Sequence, residues 1–275
     1  VAGLLVAGAL AGPAGLACAD QLNRAGHAVT VFERSDRIGG LLMYGIPDFK
    51  LEKWVVQRRI DLMKEEGVEF QTNANIGVNI SAAELKNKFD ALVIATGATH
   101  ARDLSIPGRE LQGIHFAMDY LPLQNKRNQG DEIPAERFIS AKDKHVVVLG
   151  GGDTGSDCHG TALRQGCKNL YSFELLPKPP DLRAPANPWP EWGRIFRTSS
   201  SHAEGGTRDW EILTKRFSGS EGRVRKLHAA RVEWRPDQNG GAPQMREVPG
   251  SEFEMEADLV LLALELALPF WASLL

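Results

Sequence analysis

The sequence is short of the features that mark disulfide-rich, thiol-redox or iron–sulfur proteins. Among its 275 residues there are three cysteines, Cys18, Cys158 and Cys167, and no C-x-x-C pair. This odd, scattered set excludes a disulfide framework, a redox-active dithiol and a complete ligand set for an iron–sulfur cluster. It is typical of a reducing compartment, so we expect a cytoplasmic protein, with Cys158, His159 and Cys167 serving in packing or on a helix surface.

An excess of charge of one sign is also lacking. Lys and Arg number 32 and Asp and Glu number 35, for a formal net charge of −3. This balance provides no basic surface for nucleic acid or for an anionic membrane. No interior run reaches the roughly 18 uninterrupted apolar residues of a membrane span. We therefore expect neither nucleic acid nor a membrane as a partner.

Strand-like and helix-like segments alternate over the first hundred residues. Residues 4–9 and Ala28–Glu33 are predicted to be strands, with helical spacing between them that a glycine closes. Helical spacing recurs over Glu52–Gly67, and Asp90–Ala98 has the pattern of a buried strand. Such alternation predicts a parallel sheet covered on both faces.

A second unit of the same kind begins about 140 residues further on. The stretch "KHVVVLGGGDTGSDCHGTALRQG" is predicted to form a strand, a glycine turn and a helix, followed by a strand in "KNLYSFELLP". A loop rich in proline and tryptophan follows, and then "VRKLHAARVEWRP" and "QMREVPG" suggest an antiparallel meander.

These patterns predict an α/β protein with two Rossmann-like dinucleotide-binding units. The first is expected over residues 1–101, a polar connection over 102–144, and the second unit with its meander over 145–264. Residues 265–275 are expected to form an atypical tail. The apolar run at this end would make a poor membrane anchor, because it contains Glu265 and Pro269.

The second glycine turn satisfies G-x-G-x-x-G directly after an apolar strand. Gly150 permits the tight turn, Gly152 lets the backbone approach a pyrophosphate, and Gly155 allows close packing of the helix, whose N-terminus supplies N–H donors. The alternative is a glycine turn that binds nothing. The expected cofactor-binding residues here are Gly150, Gly151, Gly152, Asp153, Thr154 and Gly155.

Glu174 ends the strand after that turn. A carboxylate at this place suits the two hydroxyls of the adenosine ribose of NADH. A phosphate on that ribose would be repelled, yet Lys178 and Arg183 follow in the next loop. The sequence therefore leaves NADH and NADPH both open.

The first glycine turn has the same frame with one departure. Gly12 and Gly15 supply its second and third glycines, and Glu33 ends the following strand, but Leu10 occupies the place of the first glycine. If that turn requires a positive φ, a leucine there costs about 1–2 kcal/mol. The apolar stretch up to Asp20 could alternatively be a signal segment, although it lacks a positively charged start.

Three long motifs carry a more specific resemblance. They are "GPAGLACADQLNRAGHAVTVFERSDRIGGLLMYGIPDFKLEK", "VVVLGGGDTGSDCHGTALRQGCKNL" and "ELLPKPPDLRAPANPWPEWGRIFR". Together they resemble the small (β) subunit family of glutamate synthase, from about Gly12 to about Leu262. The loop Pro177–Arg197 favours this family over related flavoproteins with other electron acceptors, and the missing C-x-x-C disfavours thioredoxin-reductase-like chemistry.

The resemblance implies FAD on the first unit, NAD(P)H on the second, and a large subunit of glutamate synthase as partner. The family passes electrons through iron–sulfur clusters, whose ligands this chain lacks. The resemblance implies no catalytic acid, base or nucleophile. By it, the residues facing FAD are Gly12, Pro13, Ala14 and Gly15 at the pyrophosphate, Glu33 at the ribose, Gly39, Gly40 and Leu41 at the flavin, and Thr96 and Gly97 closing the site. Arg34, next to Glu33, is a further expected cofactor-binding residue.

The family pattern extends beyond this sequence at both ends. In the family, a cysteine-rich domain that carries the iron–sulfur clusters would precede residue 1. The resemblance stops near Ala263, whereas the family continues with a segment that returns to the FAD unit and closes over the flavin. We therefore expect an incomplete FAD unit and a truncated or reading-frame-disturbed form of a longer flavoprotein. The alternative is a non-catalytic remnant that at most binds a nicotinamide dinucleotide.

Overall fold

The computed structural model describes residues 5–9, 11–98, 100–235, 241, 243–264 and 266–267. The chain divides into two compact units. The first contains Val1–His100, Leu121–Ile133 and Leu266–Leu275, and the second contains Ala101–Tyr120 and Pro134–Glu265. Leu10 and most of the tail 265–275 lie outside the described residues.

The first unit is built on a four-stranded parallel sheet in the order β3-β2-β1-β4. Its strand β1 pairs with β2 on one side and with β4 on the other, so residues 5–9 form an interior strand of the sheet, as the Rossmann-like interpretation predicts. The elements are β1 (Leu5–Ala9), α1 (Pro13–Arg24), β2 (Ala28–Phe32), α2 (Leu41–Tyr44), α3 (Lys53–Glu65), β3 (Glu69–Gln71), α4 (Ala82–Lys88) and β4 (Ala91–Ile94).

Helix α1 lies against this sheet because its apolar positions fall on one face. Leu16 and Ala19 are buried and share a core cluster with Val29 and Val31 of β2. The helix ends before Gly26, whose φ of +89° is a conformation that glycine adopts without strain. The N-terminus of α1 is thereby fixed at the carboxyl edge of the sheet.

The segment 102–144, predicted to be a polar connection, contributes residues to both units. It contains β6 (Ile114–Phe116) and α5 (Ala117–Asn128), and a short strand β5 (His100–Ala101) precedes them. Ile114 is buried in the core of the second unit, whereas buried Asn125 donates to the carbonyl of Tyr44 in the first, at 2.9 Å. A few buried residues within a polar stretch therefore decide its structure.

The second unit combines a five-stranded parallel sheet, in the order β6-β14-β7-β8-β9, with an antiparallel meander. In the meander β11 pairs with β10, β12 and β13, which confirms the predicted arrangement. The elements are β7 (His145–Leu149), α6 (Asp153–Arg164), β8 (Asn169–Glu174), α7 (Ser200–Ala203), β9 (Thr207–Trp210), β10 (Ile212–Ser220), β11 (Arg223–Arg235), β12 (Gln244–Glu247), β13 (Phe253–Glu256), β14 (Leu259–Leu262) and β15 (Leu266–Ala267), the last pairing with β5.

The predicted α/β class and the two Rossmann-like units are confirmed by these sheets. In each unit a parallel strand runs into a glycine turn and a helix. Over the described residues, no helix is both long enough and apolar enough to cross a membrane.

Candidate functional site

The first glycine turn connects β1 to α1 at the carboxyl edge of its sheet. Gly12 is the N-cap of α1, with extended backbone at φ −76° and ψ −179°, and Pro13 takes the first helical position. The first N–H groups of a helix have no acceptor within the helix, and together with the helix dipole they attract an anion. A Cβ built on Gly12 would meet nothing within 4 Å, so the space in front of these donors is open.

The other members of the turn surround this opening. Pro13 and Ala14 are exposed at the start of α1, and Gly15 is buried beneath them. This arrangement suits a phosphate group that approaches from the exposed side.

Glu33, the residue that follows β2, reaches back to this turn. Its carboxylate is buried and accepts hydrogen bonds from the backbone N–H groups of Ala11, at 3.0 Å, and Ser35, at 2.9 Å. A carboxylate has about four acceptor positions, so two backbone bonds leave capacity for ribose hydroxyls. The adjacent Arg34 is exposed.

The pair Gly39–Gly40 lies beside the first turn. Gly40 has φ +53°, and a Cβ on it would come within 3.0 Å of the Cα of Gly12. Gly39 has φ +129°, and a Cβ there would press on Met43 at 3.1 Å. Leu41 begins α2 with its side chain 47% exposed. The structure thus brings these three residues to the same edge as Gly12.

Thr96 and Gly97 follow β4, the parallel neighbour of β1. The carboxyl ends of parallel strands meet at one edge of a sheet, which is where ligands bind in open α/β folds. Gly97 has φ +65° with open space around it. Both residues therefore follow a strand that ends at the edge carrying the first glycine turn.

The second glycine turn connects β7 to α6, and two of its glycines lie against other backbone atoms. Gly150 has φ +121°, and a Cβ on it would lie 2.3 Å from the carbonyl oxygen of Ala263. A Cβ on Gly155 would lie 2.2 Å from the carbonyl oxygen of Gly150. Neither position has room for a side chain, so these two glycines are required by packing.

Gly152 differs from both, because a Cβ on it would meet nothing within 4 Å. It is the N-cap of α6 with φ −78° and ψ −172°, close to the values at Gly12. Asp153 and Thr154 occupy the first turn of α6, and Asp153 is exposed. The second turn thus also presents open helix N–H donors.

Glu174 ends β8 as predicted, and its carboxylate reaches the second turn. One oxygen accepts from the N–H of Gly151, and the other accepts from those of Leu175, at 2.9 Å, and Leu176, at 3.3 Å. A cleft beside it is lined by the turn glycines, Glu174, Arg208 and Trp210. Arg208 and Trp210 come from β9 and were not singled out from the sequence.

Arg183, which the sequence left as a possible phosphate ligand, is engaged elsewhere. Its guanidinium donates to the carbonyl oxygens of Asn187, at 3.0 Å, and Glu191, at 2.8 Å. Buried Asn187 in turn accepts from the N–H of Arg194 at 2.8 Å. Arg183 therefore holds the proline-rich loop together.

His159 fixes the position of α6 on the sheet. Its ring is fully buried, with Nδ1 2.8 Å from the Ser172 hydroxyl and Nε2 2.7 Å from the Gly205 carbonyl. Since a carbonyl only accepts, Nε2 carries a proton and donates it to Gly205. Cys158 is also fully buried, in line with the packing role expected for both. Within the described residues no group of three or more His, Cys, Asp or Glu side chains could hold a metal ion.

Comparison with protein families gives one match over most of the chain. The family described as pyridine nucleotide-disulphide oxidoreductase matches residues 5–184, which include both glycine turns.

Curated relatives are similar along nearly all of this chain. It is 52% identical to the small chain of glutamate synthase (NADPH) of Mycobacterium tuberculosis, over 96% of this chain and 54% of that protein. It is 53% identical to glutamate synthase (NADH) of Saccharomyces cerevisiae, over 92% of this chain and 12% of that protein. The chain thus spans about half the length of the small chain it matches.

Solved structures share the fold at low sequence identity. FprA of M. tuberculosis, solved in complex with NADPH, aligns with a TM-score of 0.73 and 17% identity, over 97% of this chain and 72% of that one. Thioredoxin reductase of T. acidophilum aligns with a TM-score of 0.58 and 14% identity, over 95% and 76%. The family match and the two glycine turns agree, and the chain belongs to the pyridine nucleotide-disulphide oxidoreductases.

Proposed function

We propose that this chain is an FAD-dependent NAD(P)H oxidoreductase module of the glutamate synthase small-chain type. The observation that carries the proposal is the repeated arrangement in which an open helix N-terminus meets a strand-end glutamate bound to the turn's backbone. The likeness to a glutamate synthase small chain at 52% identity supports the assignment of the reaction.

FAD is proposed for the first domain, residues 1–101. The fit rests on the open space at Gly12, the free acceptor capacity of buried Glu33, and the close approach of Gly40 to the turn. Gly12, Pro13, Ala14 and Gly15 would hold the pyrophosphate through N–H groups and the helix dipole. The further proposed ligands are Glu33 and Arg34 at the ribose, and Gly39, Gly40, Leu41, Thr96 and Gly97 around the flavin.

NAD(P)H is proposed for the second domain, residues 145–264. Gly150 and Gly155 pack the turn, Gly152 leaves space for the pyrophosphate, and Glu174 accepts from the ribose hydroxyls. The remaining proposed ligands are Gly151, Asp153 and Thr154. The names of the relatives do not decide the coenzyme, since one is an NADPH enzyme and another, equally similar, an NADH enzyme.

Hydride transfer from the nicotinamide to the flavin is the chemistry that the two cofactors supply when bound. The residues of this chain bind and orient them: each turn fixes a pyrophosphate, and each glutamate fixes an adenosine ribose. Electrons would then pass toward glutamate formation in a glutamate synthase large subunit, in the cytoplasm.

A reconstitution experiment tests the proposal. The purified chain is incubated with FAD, desalted, and its flavin absorbance and its NAD(P)H-dependent reduction of ferricyanide are measured. We expect bound flavin and turnover. A colourless chain without turnover would contradict the proposal and support the non-catalytic alternative, whether or not that chain still binds NADPH.

A further inference from the structure

Two cations share one pair of aromatic rings beside Glu174. The Nζ of Lys178 lies 4.5 Å from the ring centroid of Phe196 and 5.6 Å from that of Trp210. The guanidinium carbon of Arg208 lies 4.9 Å and 5.1 Å from the same two centroids. The rings themselves pack edge to face at 5.5 Å. Lys178 and Arg208 therefore form a basic site that packs against two aromatic rings.

Strand pairing brings this basic site to the proposed coenzyme. β9 runs parallel to β8, with Arg208 opposite Ser172 and Trp210 opposite Glu174. Arg208 and Trp210 line the same cleft as Gly151 and Glu174. The basic site consequently lies at the carboxyl edge of the sheet, on the side of Glu174 that faces away from β7.

Within the described part of the chain, neither Lys178 nor Arg208 forms an ion pair with a carboxylate. Arg208 donates to the carbonyl of Arg197 at 3.2 Å. The neighbouring Asp209 is taken by Arg231, at 2.6 Å. Burial without a counter-charge lowers the pKa of Arg208. Two cations that pack against the same pair of rings repel each other unless an anion lies between them.

This anion cannot bind at the glycine turn, because the pyrophosphate is expected there, at the N-terminus of α6. The basic site therefore fits a second phosphate next to the adenosine ribose. Repulsion from Glu174 does not prevent this, since three backbone N–H groups hold its carboxylate on the turn and two cations outweigh its single charge.

We propose that Lys178 and Arg208 bind a phosphate on the adenosine ribose, so that the chain selects NADPH over NADH. This inference rests on the proposed function, because it assumes that the second unit binds a nicotinamide dinucleotide. Arg208 supplies a planar donor pair for phosphate oxygens, and Lys178 supplies a point charge.

Calorimetric titration of the whole chain with adenosine 2′,5′-bisphosphate, AMP, NADPH and NADH tests the inference. We expect the 2′-phosphorylated member of each pair to bind at least about tenfold more tightly, as for charge-assisted hydrogen bonds. Lys178→Gln and Arg208→Gln are expected to remove most of this preference while NADH affinity stays within about twofold. Lys142→Gln, at an exposed position away from the cleft, is the matched control.

The wild-type chain supplies a second readout that requires no variant. The preference for adenosine 2′,5′-bisphosphate is expected to fall between about 50 mM and about 500 mM salt, because salt screens the added phosphate. Equal affinity for NADPH and NADH would overturn the selection of NADPH and leave the proposed function intact. Failure of all four ligands to bind would contradict the proposed function as well.

Discussion

The carboxylate of Glu174 accepts a hydrogen bond from the backbone N–H of Gly151, one residue before the glycine that caps α6. Glu33 makes the same contact with Ala11, one residue before the glycine that caps α1, at 3.0 Å. In both units the strand-end acid is thus tied to the turn. In each unit, one hydrogen bond from a backbone N–H to the glutamate therefore holds the proposed ribose site beside the proposed pyrophosphate site.

Glu174→Gln is predicted to weaken NADH binding by about tenfold, because a neutral amide replaces the charged acceptor of the ribose hydroxyls. Its NH₂ group would also face the N–H groups of Leu175 and Leu176, which are donors themselves. NADPH binding is expected to fall less, since repulsion of its extra phosphate disappears with the charge.

Titration of both coenzymes measures this shift in preference. Glu110→Gln, at an exposed position of the same unit, serves as the control and should change neither affinity. An unchanged ratio of the two affinities in Glu174→Gln would show that this carboxylate does not contact the ribose.

Gly152→Ala is predicted to lower NADPH affinity by at least about tenfold with little change in stability. The added methyl group meets no protein atom within 4 Å and the backbone φ of −78° suits alanine, so it projects only into the space proposed for the pyrophosphate. The free energy of unfolding should change by no more than about 1 kcal/mol, since the restriction of the unfolded chain by alanine opposes the preference of an N-cap position for glycine over alanine. Calorimetry and urea unfolding give the two values.

Gly12→Ala is the counterpart in the first unit. Its Cβ also meets nothing within 4 Å, and the helix donors in front of it are proposed to hold the FAD pyrophosphate. We expect the flavin content after reconstitution to fall while NADPH binding is retained, the reverse of Gly152→Ala. Loss of both cofactors in one variant would contradict the assignment of one dinucleotide to each unit.

Much of this arrangement could be predicted from the sequence, because it depends on local signals. The glycine turns, the strands before them and the acids Glu33 and Glu174 follow from spacing alone. Arg208 and Trp210 could not be found in this way, since parallel pairing of β8 with β9 brings them to Glu174 from far along the chain. Phe196 could not be found either, because it joins them through a ring contact with Trp210. The packing of the polar stretch 102–144 could not be predicted for a similar reason, because it depends on a few buried residues such as Ile114.

Gly155→Ala is predicted to destabilise the fold by about 3 kcal/mol through overpacking. Its Cβ would lie 2.2 Å from the carbonyl oxygen of Gly150, and neither backbone segment can move without disturbing α6 or β7. Urea unfolding measures the loss, with Gly152→Ala as the matched control three residues away. Similar stability of the two variants would show that α6 can shift away from the turn.

Protonation of His115 is predicted to destabilise the protein in mild acid. Burial lowers the pKa of this imidazole, and the charges of Lys144 and Arg109 lower it further against the opposing effect of Asp119. Because the pKa in the folded state lies below the ordinary value of 6.5, the unfolded chain takes up the proton first as the pH falls. The free energy of unfolding therefore decreases below pH 6.5 until the folded-state pKa is reached.

Urea unfolding of the wild type and His115→Gln at about pH 7.5 and about pH 5.5 checks this sign. The decrease between the two values should be smaller in the variant, because one group whose pKa is lower in the folded than in the unfolded state has been removed. It should not vanish, since the pKa of His228 is also lowered by burial. His100→Gln, at an exposed position, provides the comparison, and an identical decrease in His115→Gln and the wild type would contradict the prediction.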